Sequence, residues 1–593
     1  MKYWNSQYPF TAFAALSFKS GTKCSEISNI LNKTQILNDM TIALLGSPKS
    51  QTEILIHSQH NIHGKFEDFI FSGSAILHGK YVMGGKDVSN FNDIDDLNVG
   101  QFSLIKFHKK GFIAKTDLFG HGQLFIWQSE QFSILSNRSH LLSLILKEIG
   151  QKTLLNKTVA ATFFAGQSTL FSQQFSSDQM LTQGISLVRP DCTVLMKQGD
   201  LRYKENKAFS GLFKGKNKNY HSYLNDGVEQ LVGICDAIIN DERFTKVIVD
   251  LSGGKDSRMV FAAVNRVSNW QNRCQISAKD VPNSQDLQIA CGLAGLVNAA
   301  FDDGMPIAKN AMTLSENLDI WRSSFYGSYH RLGAHGWSHR GQNLSTINLS
   351  GGNGEAARGF WSKIFERQLE GFDLDKVSID QVAAKIVRAT TFKETETTED
   401  MIDVFATTLK SMPRDSILDK LDLHYIYYRN RAHFGMREFS TYSNQQTFFP
   451  LLAPSLIKAA WSLPAAERIK NKVVSDTLNA LNPIWTSFEF DGGEILDGPL
   501  SHVANNISSD ITAWREANLS AEAARKSAQG RAAMRWADWP VYLREEALKI
   551  ANTAIDNGVV SEETVLRTLE RTDTRIGQEF ASKLFAVHVA VNP

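Results

Sequence analysis

Between residues 60 and 150, short apolar runs alternate with turn residues. Phe102–Phe107, Phe112–Lys115, Gln123–Trp127 and Phe132–Leu135 are rich in aromatic and aliphatic side chains, with Gly100, Gly111 and Gly120 punctuating them. That is the pattern of strands closed by turns, and it predicts a β-rich first layer. From Leu154 to Asp200 a helical stretch precedes a strand pair that ends at Gln198-Gly199-Asp200. Lys214, Lys216 and Lys218 then alternate with Gly and Asn, which predicts a polar linker over 205–220.

Past that point the period changes. Tyr223–Ile239 has helical spacing, Lys246–Leu251 is a buried strand, Ser257–Val267 a helix, Arg273–Ser277 a strand, Asp286–Leu296 a helix and Ser345–Ser350 a strand. Strands alternating with longer helices predict a parallel sheet covered by helices. The remainder reads as mostly helical. Over 505–593 it is rich in Ala, Glu and Arg, with a turn at Asn557-Gly558 and a helix cap at Ser561. This tail is either a helical subdomain or a packed extension of the second domain. The pattern divides the chain into 1–205, 206–500 and 501–593.

Composition narrows the class. The 593 residues include 42% hydrophobic and 21% charged side chains, the balance of a folded chain with a large core. Sixty-three basic against 62 acidic residues leave a net charge of +1, so no global field favours nucleic acid or an anionic membrane. Anion binding must then be local. The five cysteines, Cys24, Cys192, Cys235, Cys274 and Cys291, form no C-x-x-C pair, which excludes a cysteine zinc site and fits a reducing compartment. No apolar run is long enough to span a bilayer. The expectation is a cytoplasmic protein without a membrane span.

One local site stands out. Lys246-Val-Ile-Val-Asp-Leu runs into Ser252-Gly253-Gly254-Lys255-Asp256-Ser257 and then directly into a helix. The glycines allow a sharp turn and a close approach of backbone to ligand. The helix start aims unpaired N–H groups and a positive dipole end at the same point, and Ser252 and Ser257 add hydroxyls. The spacing is not that of a Walker A loop. Together these features make a local anion site.

The loop resembles the pyrophosphate-binding S-G-G-x-D-S loop of the ATP-pyrophosphatase superfamily, and the surrounding landmarks are similar to those of the asparagine synthetase B family over roughly residues 60–485. In the first half these are Asn98–Ile105, Thr116–Ile126, Leu135–Leu142 and Gly184–Pro190. In the second they are Asn283–Ala290, which looks like the family's s-D-x-x-x-A helix start, and Ser350–Trp361, which falls where the family has S-G-x-G-x-D-E-x-F-x-G-Y. The resemblance implies an N-terminal αββα sandwich of class II glutamine amidotransferase type, followed by a parallel-sheet α/β ATP-pyrophosphatase domain with a helical C-terminal extension. It implies ATP and Mg2+ as cofactors, with Ser252, Gly253, Gly254, Asp256 and Ser257 at the nucleotide and Asp256 and Glu355 at the metal. Glu355 stands where the family has Asp, which keeps the charge on a longer arm.

The departures narrow the branch. Glutaminase relatives need an N-terminal cysteine after initiator removal, whereas residue 2 is Lys and the first cysteine is Cys24. The resemblance therefore implies a domain without glutaminase activity, as in the β-lactam, carbapenam and lasso-peptide macrolactam synthetases, whose amine nucleophile belongs to the substrate. Gly352 stands where described relatives carry Glu or Tyr, with Asn353, Arg358, His330 and His335 nearby in sequence. The family's catalytic lysine corresponds to Lys472 or Lys470, of which Lys472 is preferred. His424–His433 carries Tyr, Arg and His on a helix, as either a packed element or a substrate surface. The expected activity is AMP-forming amide ligation on a peptide or small-molecule carboxylate and amine, with a lasso-peptide cyclase first and a precursor-processing protease as its implied partner. A β-lactam or carbapenam-type synthetase, an ammonia-dependent asparagine synthetase and a non-catalytic nucleotide- or peptide-binding homologue are the alternatives.

Overall fold

The computed structural model describes residues 11–19, 24–34, 40–47, 50–58, 69–91, 93–108, 111–165, 176–215, 217–281, 283–302, 344–390, 397–435, 446–496, 511–519 and 538–593. Residue 2, His330 and His335 lie outside the described residues. The chain is mixed α/β, with three sheets among the described residues. The strands are β1 Phe13–Phe18, β2 Met40–Ser47, β3 Ser50–Ser58, β4 Phe69–Leu77, β5 Lys80–Met83, β6 Val99–His108, β7 Gly111–Thr116, β8 Phe125–Gln128, β9 Phe132–Ser136, β10 Ser186–Leu187, β11 Cys192–Lys197, β12 Asp200–Glu205, β13 Lys246–Asp250, β14 Cys274–Ser277, β15 Thr346–Leu349 and β16 Gln446–Phe448.

Two six-stranded antiparallel sheets, β10-β8-β9-β1-β3-β2 and β12-β11-β7-β6-β4-β5, occupy the first half. Strand alternation explains how they pack, because successive side chains of a strand point to opposite faces. In β1, Phe13 and Ala15 join Leu55, Ile70, Ile105, Phe112, Val194 and Met196 in a core between the two sheets. Ala14, Leu16 and Phe18 point the other way and share a core with Leu31, Leu141, Leu142 and Ile145, which belong to the helices Cys24–Lys33 and Ser139–Glu148. The first sheet is thus covered by the second sheet on one face and by helices on the other.

The third sheet is parallel, in the order β14-β13-β15-β16. In β13 at its centre, Val247, Ile248 and Val249 are buried, with Val249 opposite both Ile276 and Leu349. The helices Tyr220–Ile239, Lys255–Val264 and Asp286–Leu296 belong to this region, and all three contribute to the main core. Strand order turns back at β13, since β14 lies on one side of it and β15 on the other. In open α/β sheets, ligand crevices form beyond the carboxyl ends of strands at such a reversal.

The expected polar linker takes a different form. Residues 207–212 form a helix capped by the Asn206 side chain, and Phe209, Leu212 and Phe213 are buried in the main core. That core is a single cluster that draws on both the antiparallel sheets and the parallel region, with members from Ala12 to Leu496. The joint between the antiparallel sheets and the parallel region is polar as well as apolar. Arg243 pairs with Asp87 and Asp241, and Tyr81 donates to Gln446 at 3.0 Å.

Of the two readings of 424–433, the structure shows the packed one. The helix Ile417–His424 continues through two π-helical turns, Tyr425–Arg429 and Arg431–Gly435. Arg431 is fully buried and donates to the carbonyls of Gly120 at 2.9 Å, Val188 at 2.8 Å and Tyr427 at 3.3 Å. The C-terminal helices Trp539–Ile550, Asn552–Asp556, Glu562–Leu569 and Arg575–Val591 build a second core. It is shared with Leu155, Val159, Ala160, Phe163 and Leu181 of the first half. The Ser561 hydroxyl accepts from the Thr564 amide at 3.3 Å, as its position predicts. No helix among the described residues is long and apolar enough to cross a membrane.

Candidate functional site

Beyond β13 the chain turns at Ser252-Gly253-Gly254 and enters the helix Lys255–Val264. The turn is held from within. The Ser252 hydroxyl accepts the Gly254 amide at 3.1 Å and lies 3.0 Å from the Ser257 hydroxyl, and the Gly253 amide donates to Asp286 at 2.7 Å. These contacts fix the start of a ten-residue helix at the carboxyl end of the central strand. A helix start there is suited to an anion.

The loop after β15 lies against this turn. A Cβ added at Gly351 would approach to 2.7 Å of the Ser257 Cα, and one at Gly354 would meet the Asp256 carboxylate. Glycine at both positions lets the two loops touch, which brings Asp256 and Glu355 together across 99 residues of sequence. Arg358, three residues on, donates to Asp256 Oδ1 at 3.1 Å through Nε and to Oδ2 at 2.9 Å through Nη2. The same Nη2 is 3.6 Å from Glu355 Oε1. Glu355 Oε2 is buried without a hydrogen bond. Burial and the neighbouring Asp256 raise the Glu355 carboxyl above its ordinary range, against the opposing pull of Arg358.

Asn353 is fully buried with φ +74°, and both atoms of its carboxamide lack a partner. At Gly352 a side chain would run into the rings of Phe434 and Phe449, which pack against each other at 5.4 Å. An aromatic pair therefore closes the space beside the backbone at Gly352.

Between the loops lies a cleft of about 550 Å³, lined by Ser252, Gly254, Lys255, Asp256, Ser257, Ser350, Gly351 and Arg358, by Ser277 at the end of β14, and by Lys279 and Val281 beyond it. Comparison with models of protein families and with curated protein sequences finds no match. The character of the cleft rests on its own geometry.

Lys472 and Lys470 are not among the residues that line it. Lys472 pairs with Asp476 at 3.0 Å, and Asp476 also accepts the Tyr220 hydroxyl at 2.6 Å. Lys470 closes the short helix Ala465–Ile469. Asn471 between them does reach the site, donating to Glu494 at 2.9 Å, and Glu494 in turn accepts from Lys255 at 2.6 Å. Lys255 is the ammonium at the turn, and Lys279 lines the far side of the cleft.

A strap made by Phe490–Glu494 crosses the turn. The Asp491 amide donates to the Gly253 carbonyl at 2.9 Å, and its carboxylate accepts from Ser284 and Gln285. Arg258 anchors the approach to this strap. Its guanidinium is buried, donates to the carbonyls of Trp485, Phe488 and Glu489, and stands 3.6 Å over the Phe490 ring. Burial lowers its pKa to about 9. Sequence reading missed Asp491 and Glu494, because no local pattern marks a residue that meets its partner 239 positions away.

The donor set fits a divalent ion bound jointly with phosphate. Asp256 and Glu355 converge, and one oxygen is buried without a partner. Among the described residues no group of three His, Cys, Asp or Glu forms an all-protein cage. Mg2+ commonly takes one or two carboxylates plus phosphate oxygens and water, so two suffice.

Proposed function

We propose that the cleft binds the polyphosphate of ATP and that the chain is an AMP-forming amide ligase of the kind its resemblance to the asparagine synthetase B family implies. The observation that carries this reading is the meeting of the Ser252–Ser257 turn with the Ser350–Gly354 loop at the strand-order reversal, with Asp256, Lys255 and Arg358 on one cleft and Glu355 joined to Asp256 through Arg358. Ser252, Gly253, Gly254 and Ser257 form the cradle for the pyrophosphate portion, and Lys255 offsets its charge. Asp256 and Glu355 would hold Mg2+, which supplies charge neutralisation on the phosphates.

In the reaction, a carboxylate oxygen of the substrate attacks the α-phosphorus and pyrophosphate leaves. A substrate amine then attacks the acyl carbon, AMP leaves and the amine loses its proton. Holding both ends of one substrate in the cleft makes the second step effectively unimolecular. A peptide substrate closed to a macrolactam is the preferred case, with the small lactam as its rival. The catalytic role that the resemblance gives Lys472 requires that its ammonium leave Asp476. The reading is tested by pyrophosphate release from ATP with candidate peptide and small-molecule substrates. Asp256→Ala is expected to lower the rate at least about 100-fold. A normal rate in that variant overturns the site.

A second reading, a nucleotide binder without chemistry, is favoured by one observation: two of the three cations on the cleft are already tied to carboxylates, Lys255 to Glu494 and Arg358 to Asp256. Nucleotide binding without pyrophosphate release on any candidate substrate would support it.

A further inference from the structure

The carboxylate pair is charge-balanced from within the chain. Asp256 takes both prongs of Arg358, and Glu355 lies 3.6 Å from the same nitrogen. A second guanidinium, Arg429, also acts on Glu355 and stands 5.7 Å and 5.8 Å from the Phe360 and Trp361 ring centres. Two carboxylates thus face two guanidiniums. Arg358 differs from Arg429 in lining the cleft, where a ligand can reach it.

A guanidinium fork fits phosphate oxygens as well as it fits a carboxylate. A divalent ion entering this pair would meet a positive charge within a few ångströms. Glu355 Oε2, buried and unpartnered, is the oxygen that gains most from a cation that does come.

We propose that Arg358 is a resident counter-ion that holds Asp256 and Glu355 against divalent cations in the ligand-free protein and transfers its two-pronged contact to the polyphosphate when nucleotide enters. This rests on the nucleotide-site reading above. Metal and nucleotide then bind cooperatively, and by linkage each tightens the other by the same factor.

The probe is Mn2+, titrated into the full-length protein by electron paramagnetic resonance, alone and with the α,β-methylene analogue of ATP. Wild type is expected to bind Mn2+ weakly alone and about tenfold or more tighter with the analogue. Arg358→Gln is expected to bind Mn2+ alone about tenfold tighter than wild type and to lose most of the coupling. An affinity within about twofold of wild type, with the coupling intact, overturns the proposal. If that variant does not fold, as judged by its thermal melt, Arg358→Lys decides. A point charge cannot bridge two oxygens, so its coupling should fall by about threefold or more, and unchanged coupling overturns the proposal. Failure of wild type to bind the analogue, with or without metal, sinks the nucleotide reading separately, while the Mn2+ comparison of the ligand-free proteins still tests what Arg358 guards.

Discussion

At Gly351 one methyl group decides whether the two loops of the cleft can meet. An alanine there would press on the Ser257 backbone, which sits at the first turn of a helix and cannot yield cheaply. Gly351→Ala is expected to lower the unfolding free energy by about 1–3 kcal/mol in denaturant titration and to lose most nucleotide affinity. The glycine turn was legible in the sequence because its residues are contiguous. Arg358 stands in a loop that the sequence marks, yet its pairing with Asp256 spans 102 positions and exists only because β15 lies beside β13. Glu53 shows the same limit. It stands in β3, beside the Cys24 thiol, and burial raises its carboxyl to about 7. A carboxyl held protonated by the fold adds stability below its ordinary pKa of 4.5, and that contribution is lost as pH rises through about 7. Glu53→Gln should therefore flatten the fall of melting temperature across that window and melt above wild type at about pH 8. A lower melting temperature there would contradict the buried carboxyl.

Among the elements, the alternation of strand and helix from 246 to 296 was readable to within a few residues, since β13 and its flanking helices carry strong, continuous patterns. Two segments were not. Over 205–220 the lysines and glycines disguise a short helix whose Phe209 and Leu212 anchor it in the core. Over 425–435 the π-helical turns break the ordinary helical period, so side-chain spacing misreports which face is buried. The strap made by Phe490–Glu494 has consequences of its own. Glu494 competes with phosphate for Lys255, so Glu494→Gln should tighten pyrophosphate binding about three- to tenfold by calorimetry. Lys255→Met should weaken it about tenfold. Lys472→Met should change it less than about twofold, because that ammonium rests on Asp476. A large loss in Lys472→Met with none in Lys255→Met would reverse the assignment of the lysine on the cleft.

For the whole molecule, the notable long-range contact joins the C-terminal helices to residues 155–182. The C-terminal helices bury their apolar stripe on Leu155, Val159, Ala160 and Phe163, and Thr182 donates to the Ala590 carbonyl at 3.0 Å. Their amphipathic pattern announced helices but not a partner, since such a stripe fits any apolar surface of suitable shape. Phe585, fully buried in this second core, offers a test. Phe585→Ala should cost about 3–5 kcal/mol of stability while leaving nucleotide affinity within about twofold. Equal losses in both would mean that the tail supports the cleft as well as the first half.

The cysteines, sparse and without disulfides, provide a set of built-in reporters. Cys24, Cys235, Cys274 and Cys291 are buried and Cys192 is partly so, and no two of the five are joined by a disulfide. Burial and Asp191 push even the Cys192 thiol up to about 12, so alkylating reagents should label the native protein slowly. Each of the four shielded thiols reacts only when its own surroundings open: a helix over the antiparallel sheet, the long helix Tyr220–Ile239, strand β14 and the helix that begins at Asp286. Mass-resolved alkylation of the unmodified protein would therefore chart the order in which its regions come apart, without a single introduced label.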